Sequence, residues 1–304
     1  MRLPLLAALA LIPAATLADV PQVVTDTAPV QSLVARVMGD LGQPAVLIPP
    51  GTSPHDAALR PSDAASLEGA DVVIWTGPDL LPMLQDPIDT LAWRAVRVGL
   101  LQTDGWGALP LREDADFAAG HDHDHGDDSA EWQVDPHGWL DPAVAAIWVG
   151  TIAQTLAAVD PDNAAVYQAN AEAAAAEYLA LRDRLAAELA PLAGRGWLAP
   201  HDGYQYFENA FGLPAAGAVT LADAAAPGPA HIADLRARIA AEGVACLLTD
   251  PQTPADLVAL VTEGTTLRTA AADPDGQTLP PGPDLYPAII EGIAGALKDC
   301  LAEG

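Results

Sequence analysis

The sequence predicts an α/β protein of two lobes, each a mostly parallel sheet flanked by helices, joined by one long linking helix. Three observations predict this fold class. Short β-branched runs alternate with helical stretches, a second series of the same kind follows residue 195, and an uninterrupted helical pattern separates the two series. Such alternation implies right-handed crossovers between strands, and therefore parallel sheets.

Each series contains four short apolar runs that we expect to be buried strands. In the N-terminal lobe, placed at 19–159, the strands are 20–25, 45–48, 71–76 and 95–101, with helices at 29–39 and 61–69. In the C-terminal lobe, placed at 191–304, the strands lie near 197–199, 215–220, 244–249 and 266–271, and a last helix runs from 285 to about 301.

The linking helix is predicted at 160–190. This segment has no Gly, has no Pro after Pro161, and is rich in Ala, Glu and Leu. Asp160 at its start is a favourable N-cap residue. A helix of roughly 30 residues is about 45 Å long, which would make the connection between the lobes stiff.

The charge of the chain restricts its partners. Its 304 residues include 41 acidic and 13 basic ones, a formal net charge of −28, and Lys298 is the only lysine. Binding to nucleic acid needs clusters of Lys and Arg, so no nucleic-acid partner is expected, and an anionic membrane surface is disfavoured for the same reason. A cationic partner fits this charge better.

The first 18 residues are typical of a secretory signal peptide. Arg2 precedes an apolar run that ends at Leu17, and Ala18 provides a small residue for cleavage. Asp19 interrupts the run before it reaches the roughly 20 residues that span a bilayer. Later apolar stretches are broken by Asp, Arg, Pro or Gly within a dozen residues, so we expect export and no further membrane-spanning segment.

Cys246 and Cys300 are the only cysteines. An even number of cysteines in an oxidising compartment indicates one disulfide, and the alternative is a pair of buried free thiols.

Three histidines lie in loops, two of them after predicted strands. His55, His137 and His201 each have an aspartate adjacent or nearby, such as Asp202, that could orient the imidazole. Ligands of open α/β sheets bind beyond the carboxyl ends of strands. Three converging neutral imidazoles would suit zinc. The alternative is that they are solvated surface residues.

Residues 111–131 are predicted to form a mobile surface loop. The segment is acidic, lacks apolar periodicity, and alternates His121, His123 and His125 with aspartates. These side chains could bind metal weakly as a secondary site, or the loop could be solvated and bind none.

Several motifs together resemble the zinc-binding, periplasmic substrate-binding proteins of ABC transporters. They occur in order and at similar spacing: residues 53–56 (SPHD) and 60–63 (RPSD), 135–142 (DPHGWLDP), 201–207 (HDGYQYF) and 249–252 (TDPQ). The resemblance covers about residues 20 to 302. The cysteine pair and the histidine-rich loop also resemble those of the zinc-uptake members.

The resemblance implies that His55, His137 and His201 are the three histidine ligands. Manganese-binding relatives usually carry a carboxylate at the third place, so His201 favours zinc, in agreement with the preference of imidazole for zinc. Asp273 matches a position where some members supply a fourth ligand. Others use water, or a Glu directly before the first histidine, where this chain has Pro54. A structural Asp that caps a turn is the alternative for Asp273.

The implied function is capture of zinc in the cleft between the lobes and its delivery to an inner-membrane ABC permease, without catalysis. The resemblance implies a periplasmic monomer, and a periplasmic metallochaperone is a further candidate partner. The alternatives are binding of manganese or another divalent metal, an adhesin, and a secreted zinc hydrolase. A hydrolase would need a general base; the sequence has no His-Glu-x-x-His motif, and Asp202 and Glu208 are interpreted as surface or orienting carboxylates.

Overall fold

The computed structural model describes residues 20–54, 58–112, 133–220 and 227–302. Within these ranges the chain forms two sheets of four parallel strands, in the orders β2-β1-β3-β4 and β6-β5-β7-β8. The strands are β1 (Val23–Thr25), β2 (Ala45–Val46), β3 (Val72–Trp75), β4 (Val96–Gly99), β5 (Trp197–His201), β6 (Gly217–Thr220), β7 (Cys246–Thr249) and β8 (Arg268–Ala271). The helices are α1 (Ala28–Met38), α2 (Pro61–Glu68), α3 (Gln85–Leu91), α4 (Pro142–Val159), α5 (Ala164–Leu189), α6 (Gln205–Phe211), α7 (Pro229–Glu242), α8 (Ala255–Thr262) and α9 (Leu285–Leu301).

All eight predicted strands are confirmed. The central strands are continuous apolar runs because both of their faces are covered: every residue of β3 is buried. In the first sheet Val24 pairs with Ala45 on one side and Val73 on the other. In the second sheet Leu198 lies between Gly217 and Leu247. β1 and β5 are therefore inner strands of their sheets.

The predicted linking helix is α5, and it begins four residues later than expected. Pro161–Asn163 and Ala190–Leu192 form single 3-10 turns at its two ends. Asp160 is not its N-cap: its carboxylate accepts hydrogen bonds from the side chains of Asn163, at 2.7 Å, and Tyr167, at 2.8 Å. Because α5 packs against α1, α4, α6 and α9, it contacts elements of both lobes.

Helix α4 departs from the expectation that no segment after residue 18 is long and apolar enough to span a membrane. By length and composition alone, its 18 residues could cross a membrane. Core helices pass the same test, and 44% of this helix is buried inside the protein, including Trp148 and Ile152. Its buried apolar side chains belong to the main core, which also includes residues of β1, β3, α5 and α9.

The disulfide between Cys246 and Cys300 is confirmed. It joins β7 to the end of α9, and both residues are buried. The disulfide thus ties the last helix to the second sheet. The signal peptide at 1–18 lies outside the described residues, and the residue boundaries of the lobes stay predictions.

Candidate metal centre

Two of the predicted ligands, His137 and His201, lie side by side in the region between the lobes. His137 precedes a 3-10 turn (Gly138–Leu140) that leads into α4. His201 is the last residue of β5, whereas the sequence placed it in the loop after that strand. Their ring centroids are 5.5 Å apart, and both side chains are buried. The fold therefore brings together imidazoles that are 64 residues apart in the sequence.

Gly203 shows how the two imidazoles point. A Cβ atom built on this glycine would lie 2.4 Å from Nε2 of His201 and 3.1 Å from Nε2 of His137. The two Nε2 atoms thus converge on one small space that a methyl group would fill. A pair of imidazole nitrogens aimed at one point is an arrangement that suits a zinc ion.

Asp135 fixes the orientation of His137. Its Oδ1 lies 2.8 Å from His137 Nδ1 and also accepts the backbone N–H of His137. The Gln205 side chain donates to the other oxygen at 3.1 Å. Burial opposes ionisation, but the hydrogen bonds from His137 and Gln205 lower the pKa of Asp135 below its usual value. An ionised acceptor at Nδ1 keeps the proton there and leaves Nε2 with a lone pair for a metal.

Asp250 lies beside Nδ1 of His201, at a longer distance than Asp135 from His137. Its Oδ2 lies 3.4 Å from His201 Nδ1, and its Oδ1 accepts hydrogen bonds from the backbone of Gln252 and the hydroxyl of Thr253. The Asp-Pro-Gln segment thus holds one oxygen rigidly and turns the other toward His201. Both imidazoles consequently have a carboxylate beside Nδ1, a common arrangement for metal-binding histidines.

Asp202 does not take this orienting role, although it is adjacent to His201. Arg112 donates to Asp202 at 2.9 Å and to both oxygens of Glu208 at 3.0 Å. Both carboxylates are buried, so the interpretation of them as surface residues is wrong. Burial raises the pKa of Asp202 to about 6, although Arg112 opposes the shift.

Asp273 caps a turn, which is the alternative that the sequence left open for it. Its two oxygens accept hydrogen bonds from the backbone of Gln277 and from Thr278, at 2.7–2.9 Å. The Trp139 indole, two residues after His137, donates to the carbonyl of the adjacent Pro274 at 2.9 Å. Asp273 also lines a surface cavity of about 420 Å³ together with Asp250.

The remaining predicted ligands cannot be placed beside this pair. His55 and the loop residues His121, His123 and His125 lie outside the described residues. Within residues 20–54, 58–112, 133–220 and 227–302, no group of three or more His, Cys, Asp or Glu residues is arranged to hold a metal ion. The described part of the centre is therefore a pair of oriented imidazoles.

Sequence reasoning missed three residues that shape the centre. Only its position, two residues after His201, could have indicated the role of Gly203 from the sequence. Nothing comparable indicates Gln205 and Arg112, because their partners come from the other lobe.

The chain matches a family profile described as "Zinc-uptake complex component A periplasmic", ZnuA, over residues 23–300. The chain belongs to the ZnuA family. It is 41% identical over 308 residues to the high-affinity zinc uptake system protein ZnuA of Paracoccus denitrificans, with 93% of each chain covered. It is 39% identical over 309 residues to the protein of that name from Brucella suis, with 92% of each chain covered.

A solved structure of a ZnuA deletion mutant with zinc bound has the same fold. It superposes with a TM-score of 0.77 at 20% sequence identity, covering 94% of this chain and all of the other. The family and the fold that the resemblance implied are therefore confirmed.

Proposed function

We propose that this protein captures zinc in the cleft between its lobes, as the periplasmic binding component of a zinc-uptake system. The observation that carries the proposal is the pair of buried imidazoles, one from each lobe, whose Nε2 atoms converge while a carboxylate oxygen lies beside each Nδ1. Imidazole nitrogens prefer a borderline cation such as zinc to a hard one. The family to which the chain belongs is named for zinc uptake.

The proposed ligands are His55, His137 and His201. Asp273, a water molecule or a loop histidine would complete four-coordinate binding. Although both oxygens of Asp273 accept hydrogen bonds, a carboxylate has about four lone-pair sites, so capping a turn leaves capacity for a metal. A site of three imidazoles should bind zinc more tightly than manganese, which prefers oxygen ligands.

The partner we propose is an ABC permease in the inner membrane, which would receive zinc from the cleft. We propose that residues 1–18 direct export and are removed, that the mature protein is a periplasmic monomer, and that a metallochaperone is a further candidate donor. The net charge of −28 supports this role, because a negative field concentrates cations near the protein.

We infer that the chain is not a hydrolase. A catalytic zinc site needs a general base near the metal-bound water. The two acidic side chains closest in sequence to His201 that could act as such a base are Asp202 and Glu208, and both are bonded to the guanidinium of Arg112. Carboxylates held in this way support binding rather than proton transfer.

A metal titration tests the proposal. Residues 19–304 are purified free of metal and titrated with zinc and, separately, with manganese against a competing chelator. We expect tight stoichiometric zinc binding, weaker manganese binding, and no zinc-dependent hydrolysis of ester, amide or phosphate substrates. Absence of saturable zinc binding would exclude the proposed function. Hydrolysis that zinc restores and His201→Ala abolishes would favour the enzyme.

A further inference from the structure

The two chain segments that flank residues 113–132 form a short antiparallel stem. We define the stem as residues 109–112 and 133–135. The backbone N–H of Leu111 donates to the carbonyl of Gln133 at 2.9 Å, and that of Asp135 donates to the carbonyl of Leu109 at 2.9 Å. Because Asp135 also orients His137, the stem segment 133–135 is part of the metal centre.

Helix α6 of the second lobe binds the other segment of the stem, residues 109–112. The Tyr206 hydroxyl accepts the backbone N–H of Leu109 at 2.9 Å, and the Gln205 side chain donates to the carbonyl of Pro110 at 2.9 Å. Gln205 also donates to Asp135. These bonds cross from one lobe to the other beside the two histidines.

The strongest hydrogen bonds between the lobes are those of Arg112. Its Nη1 donates to Asp202 Oδ1 and to Glu208 Oε1, and its Nη2 donates to Glu208 Oε2, all at 2.9–3.0 Å. The side chains of Asp202 and Glu208 are each 3% exposed and that of Arg112 is 23% exposed, so the bonds are shielded from water. A guanidinium that bonds carboxylates through two nitrogens is geometrically specific, and a lysine cannot reproduce it.

We propose that Arg112 is a positioning residue that clamps the two lobes around bound zinc and slows its release. Asp202 directly follows His201, and Arg112 belongs to the stem that carries Asp135. Separating the lobes, and with them His201 from His137, requires the bonds of Arg112 to Asp202 and Glu208 to break. The clamp therefore acts on dissociation of the ion more than on its capture. This inference rests on the proposed zinc ligands.

The charge of Arg112 and its geometry have opposite effects on zinc. A positive charge near the site repels a divalent cation, so charge alone predicts slower zinc release when the charge is removed. The clamp predicts faster release. Arg112→Lys keeps the charge and loses the two-nitrogen geometry, whereas Arg112→Met loses both.

The test measures zinc dissociation by mixing loaded protein with excess chelator, at a temperature where circular dichroism shows each variant to be folded. We expect Arg112→Lys to release zinc about tenfold faster at an unchanged association rate, a change typical of residues that support metal ligands. Arg112→Met should also release zinc faster. Arg97→Lys is the matched control, because Arg97 pairs with Asp89 on the exposed surface at 2.7 Å; its rate should stay within about twofold, since exposed pairs contribute little.

Two results would overturn the clamp. One is an Arg112→Lys dissociation rate equal to that of the wild type, even if the variant melts at a lower temperature. The other is slower release from Arg112→Met, which would mean that charge dominates. Failure of the proposed function would be distinct, because the wild-type protein would then bind no stoichiometric zinc.

Discussion

Gly203 approaches His201 so closely that a side chain at this position would occupy the space in front of the imidazole. A Cβ atom there would lie 2.4 Å from His201 Nε2. The backbone of Gly203 is not in the left-handed region, so its conformation alone does not demand glycine. Glycine is needed here because of the two histidines. The absence of a Cβ atom leaves open the space in which their Nε2 atoms would bind a metal.

Gly203→Ala should therefore weaken zinc binding more than folding. The added methyl group can be accommodated if the His201 ring rotates, because the nearest atom is at the end of a side chain. Rotation would turn Nε2 away from His137, and we expect zinc affinity to fall by at least about tenfold. Chelator competition measures the affinity, and thermal unfolding measures the stability.

The matched control for that substitution is Gly150→Ala. Gly150 lies within α4, and a Cβ built on it meets no atom within 4 Å. This variant should bind zinc like the wild type and be slightly more stable, because Ala favours a helix over Gly. Unchanged zinc affinity in Gly203→Ala would contradict the proposed convergence of the two nitrogens.

His201→Ala should remove a ligand and so reduce zinc affinity by more than about 100-fold, since loss of even a supporting residue costs about 10–100-fold. His231→Ala provides the control. His231 lies in the first turn of α7, where its Nε2 is 3.0 Å from the carbonyl of Val219. Equal affinities for the two variants would exclude His201 as a ligand.

Asp135→Asn should weaken zinc binding without removing a ligand. The amide cannot carry the charge that holds the proton on Nδ1 of His137, and its NH₂ group can face that nitrogen. We expect zinc affinity to fall about 10–100-fold. Asp89→Asn, on the exposed surface, should have no effect. Titration calorimetry on both variants checks this, and an unchanged affinity in Asp135→Asn would show that His137 needs no orienting carboxylate.

The sequence predicts the fold well because a strand that is buried on both faces is a continuous apolar run, which is visible in the local sequence. The run from Val72 to Trp75 is wholly apolar and wholly buried, so composition alone locates the strand. Boundaries are less well predicted where side chains compete with the backbone. Asp160 matches an N-cap pattern, yet its carboxylate bonds the Tyr167 hydroxyl, and the helix starts after the next turn.

The site is only partly predictable, because its supporting contacts are nonlocal. His137 and His201 stand out in motifs, and Asp135 lies two residues from its partner. The partner of His201 is instead Asp250, which the parallel pairing of β5 with β7 brings close from 49 positions away. Nothing near Arg112 in the sequence indicates that it bonds Asp202 across the lobes.

The stability of the metal-free protein should depend on pH through Asp26. This carboxyl is fully buried at the end of β1, and its oxygens accept the backbone N–H groups of Thr27 and Thr76. Burial raises its pKa to about 6, from an ordinary value of 3.8. Because the folded state binds this proton more tightly than the unfolded state, the contribution of Asp26 to stability grows as pH falls through 6.

Denaturant unfolding at pH 7.5 and pH 5.0 measures the effect of Asp26. Between these values, the wild type should gain about 1 kcal/mol of unfolding free energy relative to Asp26→Asn, which cannot take up the proton. Asp40→Asn, at an exposed position, should keep the wild-type dependence. If the unfolding free energies of Asp26→Asn and the wild type respond to pH equally, burial does not raise the pKa of Asp26.

The histidine-rich segment should contribute zinc capacity rather than main-site affinity. Replacing His121, His123 and His125 with Asn keeps the length of the segment and removes its imidazoles. Because ordering a chain segment around a metal ion costs conformational entropy, we expect only weak additional zinc ions to disappear, together with a slower transfer of zinc to an acceptor. The tight site should keep its affinity in a chelator competition, and a control in which Asp122 and Asp124 become Asn should retain most of the extra capacity. A loss of tight affinity as large as that expected for His201→Ala would instead make a loop histidine the fourth ligand, in place of Asp273 or water.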